Sequence, residues 1–406
     1  MLKISNGELA MDKVRIGKYE IPKDLFIFLV ISVLLGVVSA VENTSLANRL
    51  YEDLNFTVMQ RSLLETPREL PGLLTVVMIG LLNSFGDIRI AAIANILGGI
   101  GLLFFGLVPN QFSLVLIFLV VYSTGQHMYL PLSSTIAMSF AKGENFGLRV
   151  GQVQSIGSLS IIVASAVLYL LYRFFNVSYQ FVFVIAAFAM VMAGVLFLFL
   201  GKGNEKIVCE TRFVFRKTYK MYYILMIVNG ARKQVTFTFV PWLIIDIFKQ
   251  PVTTITMLFF IVCVINIFFK PWFGNLIDKK GERYAIQLEA IIMFVACIGF
   301  AFANSLFPFK IALSIVGFCY VIDKLMESAA IARATYAKRL SNNPSEVART
   351  LSMGLSMDHL VSMLIPILAG YVWYVNGANG YMYVFIGALF ISLLNFYLAS
   401  KLEKKN

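Results

Sequence analysis

Two histidines, three tryptophans and four cysteines in 406 residues leave little material for several kinds of chemistry. The cysteines (Cys209, Cys263, Cys297, Cys319) form no CxxC pair and have no histidine at metal-ligand spacing, so they read as small core residues. The only histidines are His127 and His359, and the chain contains no G-x-S-x-G, H-E-x-x-H or Walker loop. A hydrolase triad, a zincin site and a nucleotide-binding loop are therefore not written in it. No cofactor and no metal site is expected, and a membrane enzyme is disfavoured. Charge is scarce too: Asp, Glu, Lys and Arg make up 14% of the chain, where a soluble domain carries about 25%.

Apolar residues fill the space, at 59% of the chain and a mean hydropathy of +0.80. A soluble fold would have nothing to cover that surface from water, and a disordered chain is far more polar. The apolar runs are continuous over roughly the 20 residues a helix needs to cross hydrocarbon, whereas a barrel strand alternates over about 10. Twelve spans are predicted, at 25–48, 58–84, 90–108, 112–140, 150–172, 180–200, 221–247, 253–276, 284–304, 309–337, 350–374 and 381–400. The polar segment Met1 to Asp24 does not have the form of a cleavable signal peptide, so the first span is expected to direct insertion.

The net charge of +12 is a topology signal. If the N-terminus is cytoplasmic, the inner segments hold 23 of the 34 Lys and Arg, and the outer loops with the span edge beside them hold four: Arg49, Arg173, Lys249 and Lys310. This bias places both termini in the cytoplasm, beside anionic lipid headgroups, and removes any need for nucleic acid. The longest inner connection, 201–220, carries Lys202, Lys206, Arg212, Arg216, Lys217 and Lys220. It divides the chain into two expected six-helix bundles, 1–200 and 221–406. Weak internal matches support duplication: Arg149 with Arg349, which open spans 5 and 11, and Gly86 with Gly281, which follow spans 2 and 8.

Between spans 8 and 9 the sequence runs Gly274, Asn275, Leu276, Ile277, Asp278, Lys279, Lys280, Gly281, Glu282, Arg283. This resembles the G-x-x-x-D-[RK]-x-G-x-[RK] signature of the major facilitator superfamily, at the place where that family carries it. The resemblance implies an all-α membrane fold of two six-helix bundles with pseudo-two-fold symmetry. It also implies a central cavity lined by spans 1, 4, 7 and 10, and alternating access. Gly274, Asp278, Lys279, Gly281 and Arg283 are then a cytoplasmic gate motif, with Arg149 as the expected partner of Asp278 and Arg349 as its counterpart in the other half. The copy after span 2 departs from the pattern, since Asn83 and Ser84 replace the Asp-Arg pair while Gly86 and Arg89 survive. Span 4 has no arginine and span 5 no proline, which argues against a typical multidrug antiporter of that family.

About a dozen ionisable groups lie inside the spans, each costing roughly 2.5–3.5 kcal/mol at mid-membrane on insertion scales, so they are expected to face a cavity or one another. The candidates for a substrate and coupling cavity are Glu42, Asn43, Arg68, Glu69, His127, Arg232, Lys233, Asp323, Lys324, Glu327, Asp358 and His359. Arg68 with Glu65 or Glu69, and Lys324 with Glu327, are spaced to pair along their helices. Arg333 and Lys270 are read as snorkelling or cavity cations. His127, Glu42, Asp323 and Glu327 are the candidates for a proton-coupling group. Arg232 and Lys233 offer fixed positive charge for a carboxylate or phosphate. The expected function is secondary active, proton-coupled transport of a small polar, anionic or zwitterionic molecule by a monomer in a bacterial cytoplasmic membrane. A multidrug or metabolite exporter and a non-transporting sensor are the alternatives.

Overall fold

The computed structural model describes residues 13–16, 19–140, 146–201, 216–341 and 344–403. Cys209, the linker residues Lys202, Lys206 and Arg212, and the side chain of Arg349 lie outside the described residues. A short antiparallel hairpin pairs Lys13 with Pro22 and Ile16 with Tyr19 ahead of the first helix. Among the described residues every regular element after it is helical, because a backbone in hydrocarbon must satisfy its polar groups within its own segment.

Six helices form the first half: α1 (Lys23–Asn48), α2 (Val58–Leu82), α3 (Asp87–Leu107), α4 (Phe112–Ser139), α5 (Phe146–Phe174) and α6 (Tyr179–Phe197). The second half opens with α7 (Lys220–Trp242). A continuous run from Val252 to Leu306 follows, broken only at Gly281 into α8 (252–280) and α9 (282–306). The next span, α10, joins Phe309–Met326 to Ala330–Arg339 through a 3-10 turn at Glu327–Ala329. The last two helices are α11 (Pro344–Val375) and α12 (Gly380–Ser400). Eight of the helical segments are long and apolar enough to cross a membrane, and one of those eight is the α8–α9 run. The others, α2, α7 and α10, carry interior charges.

Two backbone irregularities recur in both halves. Gly86 (φ 77°, ψ 157°) precedes α3, and Gly281 (φ 81°, ψ 167°) precedes α9. That conformation is open essentially to glycine alone. The far ends of α1 and α7 both loosen into a π turn, at Arg49–Asp53 and Leu243–Ile247. Gly281→Ala is expected to cost about 1–3 kcal/mol. Thermal unfolding of the purified protein checks this, and an unchanged midpoint would show that the turn can relax.

The apolar core shows how the halves meet. One cluster joins both halves around the far ends of α1 and α7, running from Val41, Leu50 and Phe105 to Phe239, Trp242 and Phe385. Toward the opposite, basic face the core splits. Phe28, Met128 and Phe197 belong to a cluster of the first half alone, and Tyr222, Phe273 and Ala337 to a cluster of the second half alone. Among the described residues, the apolar core is therefore shared by the halves at the far face and divided between them at the basic face.

Candidate functional site

In the second half, an arginine on α7 and another on α10 converge on one carboxylate of α9. Arg232 Nη2 donates to Glu289 Oε1 at 3.2 Å, and its Nη1 donates to Asp323 Oδ1 at 3.2 Å. Arg333 Nη1 donates to Glu289 Oε2 at 2.6 Å. All four groups are buried, Glu289 completely. Two cations and two carboxylates balance there, as buried charge requires. Beside them, the 3-10 turn in α10 brings Glu327 to the end of Lys324, whose Nζ donates to Glu327 Oε1 at 2.8 Å. Lys233 pairs with Asp358 of α11, whose Oδ1 also accepts from Asn229 Nδ2 at 3.2 Å.

In the first half, α2 supplies a ladder of charge. Arg61 pairs with Glu65, while Arg68 donates to Glu65 Oε2 through Nε at 2.9 Å and Nη2 at 2.6 Å, and also pairs with Glu69. Glu42 of α1 accepts from Tyr122 at 2.7 Å and from Gln126 at 2.8 Å, with Arg68 4.0 Å away. The ladder is tied to the second half at two rungs. Gln234 Nε2 donates to Glu65 Oε2 at 2.9 Å, and His359 Nδ1 meets Glu69 Oε2 at 2.9 Å. Phe237 stands between the halves, with Arg68 and Lys324 each 5.2 Å from its ring centre, a cation–π arrangement.

These groups surround a cavity of about 450 Å³ at mid-span. It is lined by Glu42, Asn43, Arg68, Glu69, His127, Arg232, Lys233, Glu327, Asp358 and His359. Two residues expected with them lie elsewhere: Asp323 is held behind Arg232, and Lys324 lines an adjoining recess of about 320 Å³ together with Asn43, Lys270 and Glu327. The charged heads in the cavity wall are paired with one another. Lys233 and Glu327 are the most open of them, with side chains 34% and 50% exposed.

The far end is closed by a latch between the two π turns. Lys249 Nζ donates to Tyr51 at 2.7 Å, and the Tyr51 hydroxyl donates to Asp246 Oδ1 at 2.9 Å. The Tyr51 contact, with Asp246 beside it, holds the Lys249 ammonium above its ordinary pKa. Trp242 lies edge-on to Tyr51, fully buried. At the basic face, among the described residues, Leu130 and Leu355 on the cavity wall are exposed, and a Cβ at Gly151 or Gly274 would meet nothing within 4 Å.

Several sequence expectations change accordingly. Arg149, the anticipated partner of Asp278, donates to Gln152 of its own helix at 3.0 Å. Arg283 of the gate motif donates to the Leu402 carbonyl at 3.0 Å and so fastens α9 to the end of α12, while Lys280 lies over the Tyr284 ring. Arg232 is only 2% exposed and donates to both Glu289 and Asp323. Arg333 does not snorkel; it is buried on Glu289. Glu289 is the residue that sequence reasoning missed. Its signal was indirect: two arginines inside the spans, Arg232 and Arg333, each need a carboxylate, and only one acid lies inside span 9.

A family model for the Major Facilitator Superfamily matches residues 26–322. No curated protein matches this chain. Among solved structures, the fold is similar to that of a point mutant of the nucleoside transporter NupG, at 16% identity and a TM-score of 0.77, covering 93% of this chain and 99% of that one. It is also similar to a bacterial homolog of the human lysosomal transporter Spinster in an inward-facing, occupied conformation, at 15% identity, TM-score 0.71, and coverage of 93% and 96%. A POT family transporter in complex with 5-aminolevulinic acid aligns at 12% identity, TM-score 0.69, and coverage of 93% and 96%. With twelve helices in two related halves around a polar cavity, and with that family match over most of its length, this multi-pass membrane protein belongs to the Major Facilitator Superfamily.

Proposed function

We propose that the chain is a secondary transporter carrying a small polar zwitterion across the cytoplasmic membrane by alternating access, coupled to protons. The observation that carries this reading is the pair of open charges of opposite sign in one cavity, Lys233 and Glu327. The anionic end of a substrate competes with Asp358 for Lys233, and its cationic end competes with Lys324 for Glu327. The 5-aminolevulinic acid held by a transporter of the same fold likewise carries an amine and a carboxylate.

Glu327 is the coupling group in this reading. It has one partner, Lys324, and an open face, whereas Glu42 is held by Tyr122 and Gln126, with Arg68 near, and Asp323 is locked to Arg232. A proton on Glu327 removes the charge that the substrate's cationic end needs, so proton and substrate exclude each other there. The basic face is cytoplasmic by the positive-inside rule. Residues 1–200 and 221–406 are the two rocking bodies, joined by 201–220, and the protein works as a monomer.

A thermal-shift screen of purified protein against metabolites and drugs, run at two pH values, tests the reading. Zwitterions are expected to stabilise the protein, by about 2.7 kcal/mol at 100-fold excess over Kd. Their N-acylated or esterified analogues are expected not to. Affinity should fall at the lower of the two pH values, as competition between proton and substrate at one carboxylate requires. Stabilisation by apolar drugs alone would overturn it.

A further inference from the structure

The only two histidines of the chain meet across the boundary between the halves. His127 lies on α4 and His359 on α11, yet their rings pack edge to face with centres 5.1 Å apart. Gly72 of α2 makes room, since a Cβ there would press within 3 Å of both rings. Glu69, one turn earlier on the same helix, completes the group. One donor atom from each of Glu69, His127 and His359 lies within 4.8 Å of the others. Among the described residues, no other three His, Cys, Asp or Glu side chains come together in this way.

The surrounding bonds orient these donors as metal ligands are oriented. The Ser123 hydroxyl donates to the Arg68 carbonyl, so its oxygen is left to accept from His127 Nδ1, as does the Ser123 carbonyl at 2.9 Å. That fixes the His127 proton on Nδ1 and leaves Nε2 with a free lone pair, the usual condition for a ligating imidazole. Glu69 gives Oε1 to Arg68 and points Oε2 at His359. All three residues line the mid-span cavity. Two imidazoles and a carboxylate suit a borderline divalent ion of the zinc class and disfavour magnesium or calcium, which take oxygen ligands.

We propose that Glu69, His127 and His359 form a site for one divalent ion of the zinc class, which clasps α2 and α4 of the first half to α11 of the second. Water from the cavity supplies the remaining coordination, and the His359 proton shifts from Nδ1 to Nε2 as the ion takes Nδ1 and Glu69 Oε2. The ion holds the halves in the arrangement seen here and is not cargo.

The full-length chain, purified in detergent and stripped of metal, is titrated with zinc chloride against a chromogenic chelator. One ion per chain is expected, with affinity in His359→Gln or Glu69→Gln weakened by at least the roughly 10–100-fold that loss of an outer-shell partner costs. Cobalt chloride reports the site independently, through visible d–d absorption that disappears in His127→Gln. Elution profile and metal-free thermal midpoint verify that each variant is folded. Unchanged zinc stoichiometry in the His127→Gln/His359→Gln double variant would overturn the site. Zinc flux through proteoliposomes would overturn the clasp. Binding is read in detergent without any organic substrate, so the result is independent of the zwitterion reading.

Discussion

Glu289→Ala is expected to be the most damaging single substitution in the membrane interior, lowering stability by about 3–5 kcal/mol, the usual cost of stripping a buried ion pair of one partner. The reason lies in its neighbours: Arg232 and Arg333 are each only 2% exposed, and both use Glu289. Removing it leaves two guanidiniums in a dry interior with one remaining carboxylate, Asp323, which reaches only Arg232. The measurement is recovery of monodisperse protein and its unfolding midpoint in detergent. Glu289→Gln, which keeps the shape and loses the charge, should fall between wild type and alanine. Replacing Arg232, Glu289, Asp323 and Arg333 together by apolar residues of similar volume should be far milder than Glu289→Ala, because no unpaired charge remains. Equal damage from both would mean that the quartet acts through shape and not charge.

The largest expected effects on transport come from the two open charges. Glu327→Gln copies the protonated state, so substrate binding should weaken roughly 10- to 100-fold, the value of one charge-assisted hydrogen bond. A proton gradient should no longer drive accumulation, while exchange of substrate for substrate at saturating concentration continues. Lys233→Met should weaken binding by a similar factor and leave the response to the gradient intact. Proteoliposome uptake with and without an imposed pH gradient separates the two. If both variants accumulate substrate normally, the roles of Lys233 and Glu327 are wrong.

Much of the fold was legible in the chain. Helix-length apolar runs and the asymmetry of Lys and Arg are one-dimensional signals, and Gly281 sits in a motif whose turn demands it. The break in α10 was not legible: nothing in Glu327-Ser328-Ala329 marks a 3-10 turn, which arises from tertiary packing. The candidate site was half legible. Expensive charges announce themselves, and ten of the twelve named residues line one cavity. Which charges remain open was invisible, because saturation is a property of three-dimensional partners. Arg232 and Lys233 are adjacent in sequence, yet one is sealed by Glu289 and Asp323 while the other is 34% exposed. The meeting of His127 with His359 was equally hidden, since helix periodicity carries no information about which faces of α4 and α11 oppose.

The single apolar cluster at the far face has a kinetic consequence. To open that face, the protein must part Trp242 from Tyr51 and divide a core that draws on both halves, exposing its surfaces to a water-filled vestibule at roughly 25 cal/mol per Å². Closing the basic face asks for no such division, because the clusters there are already separate. The empty protein should therefore rest open on its basic side, and the outward swing should be the slow stroke of its cycle.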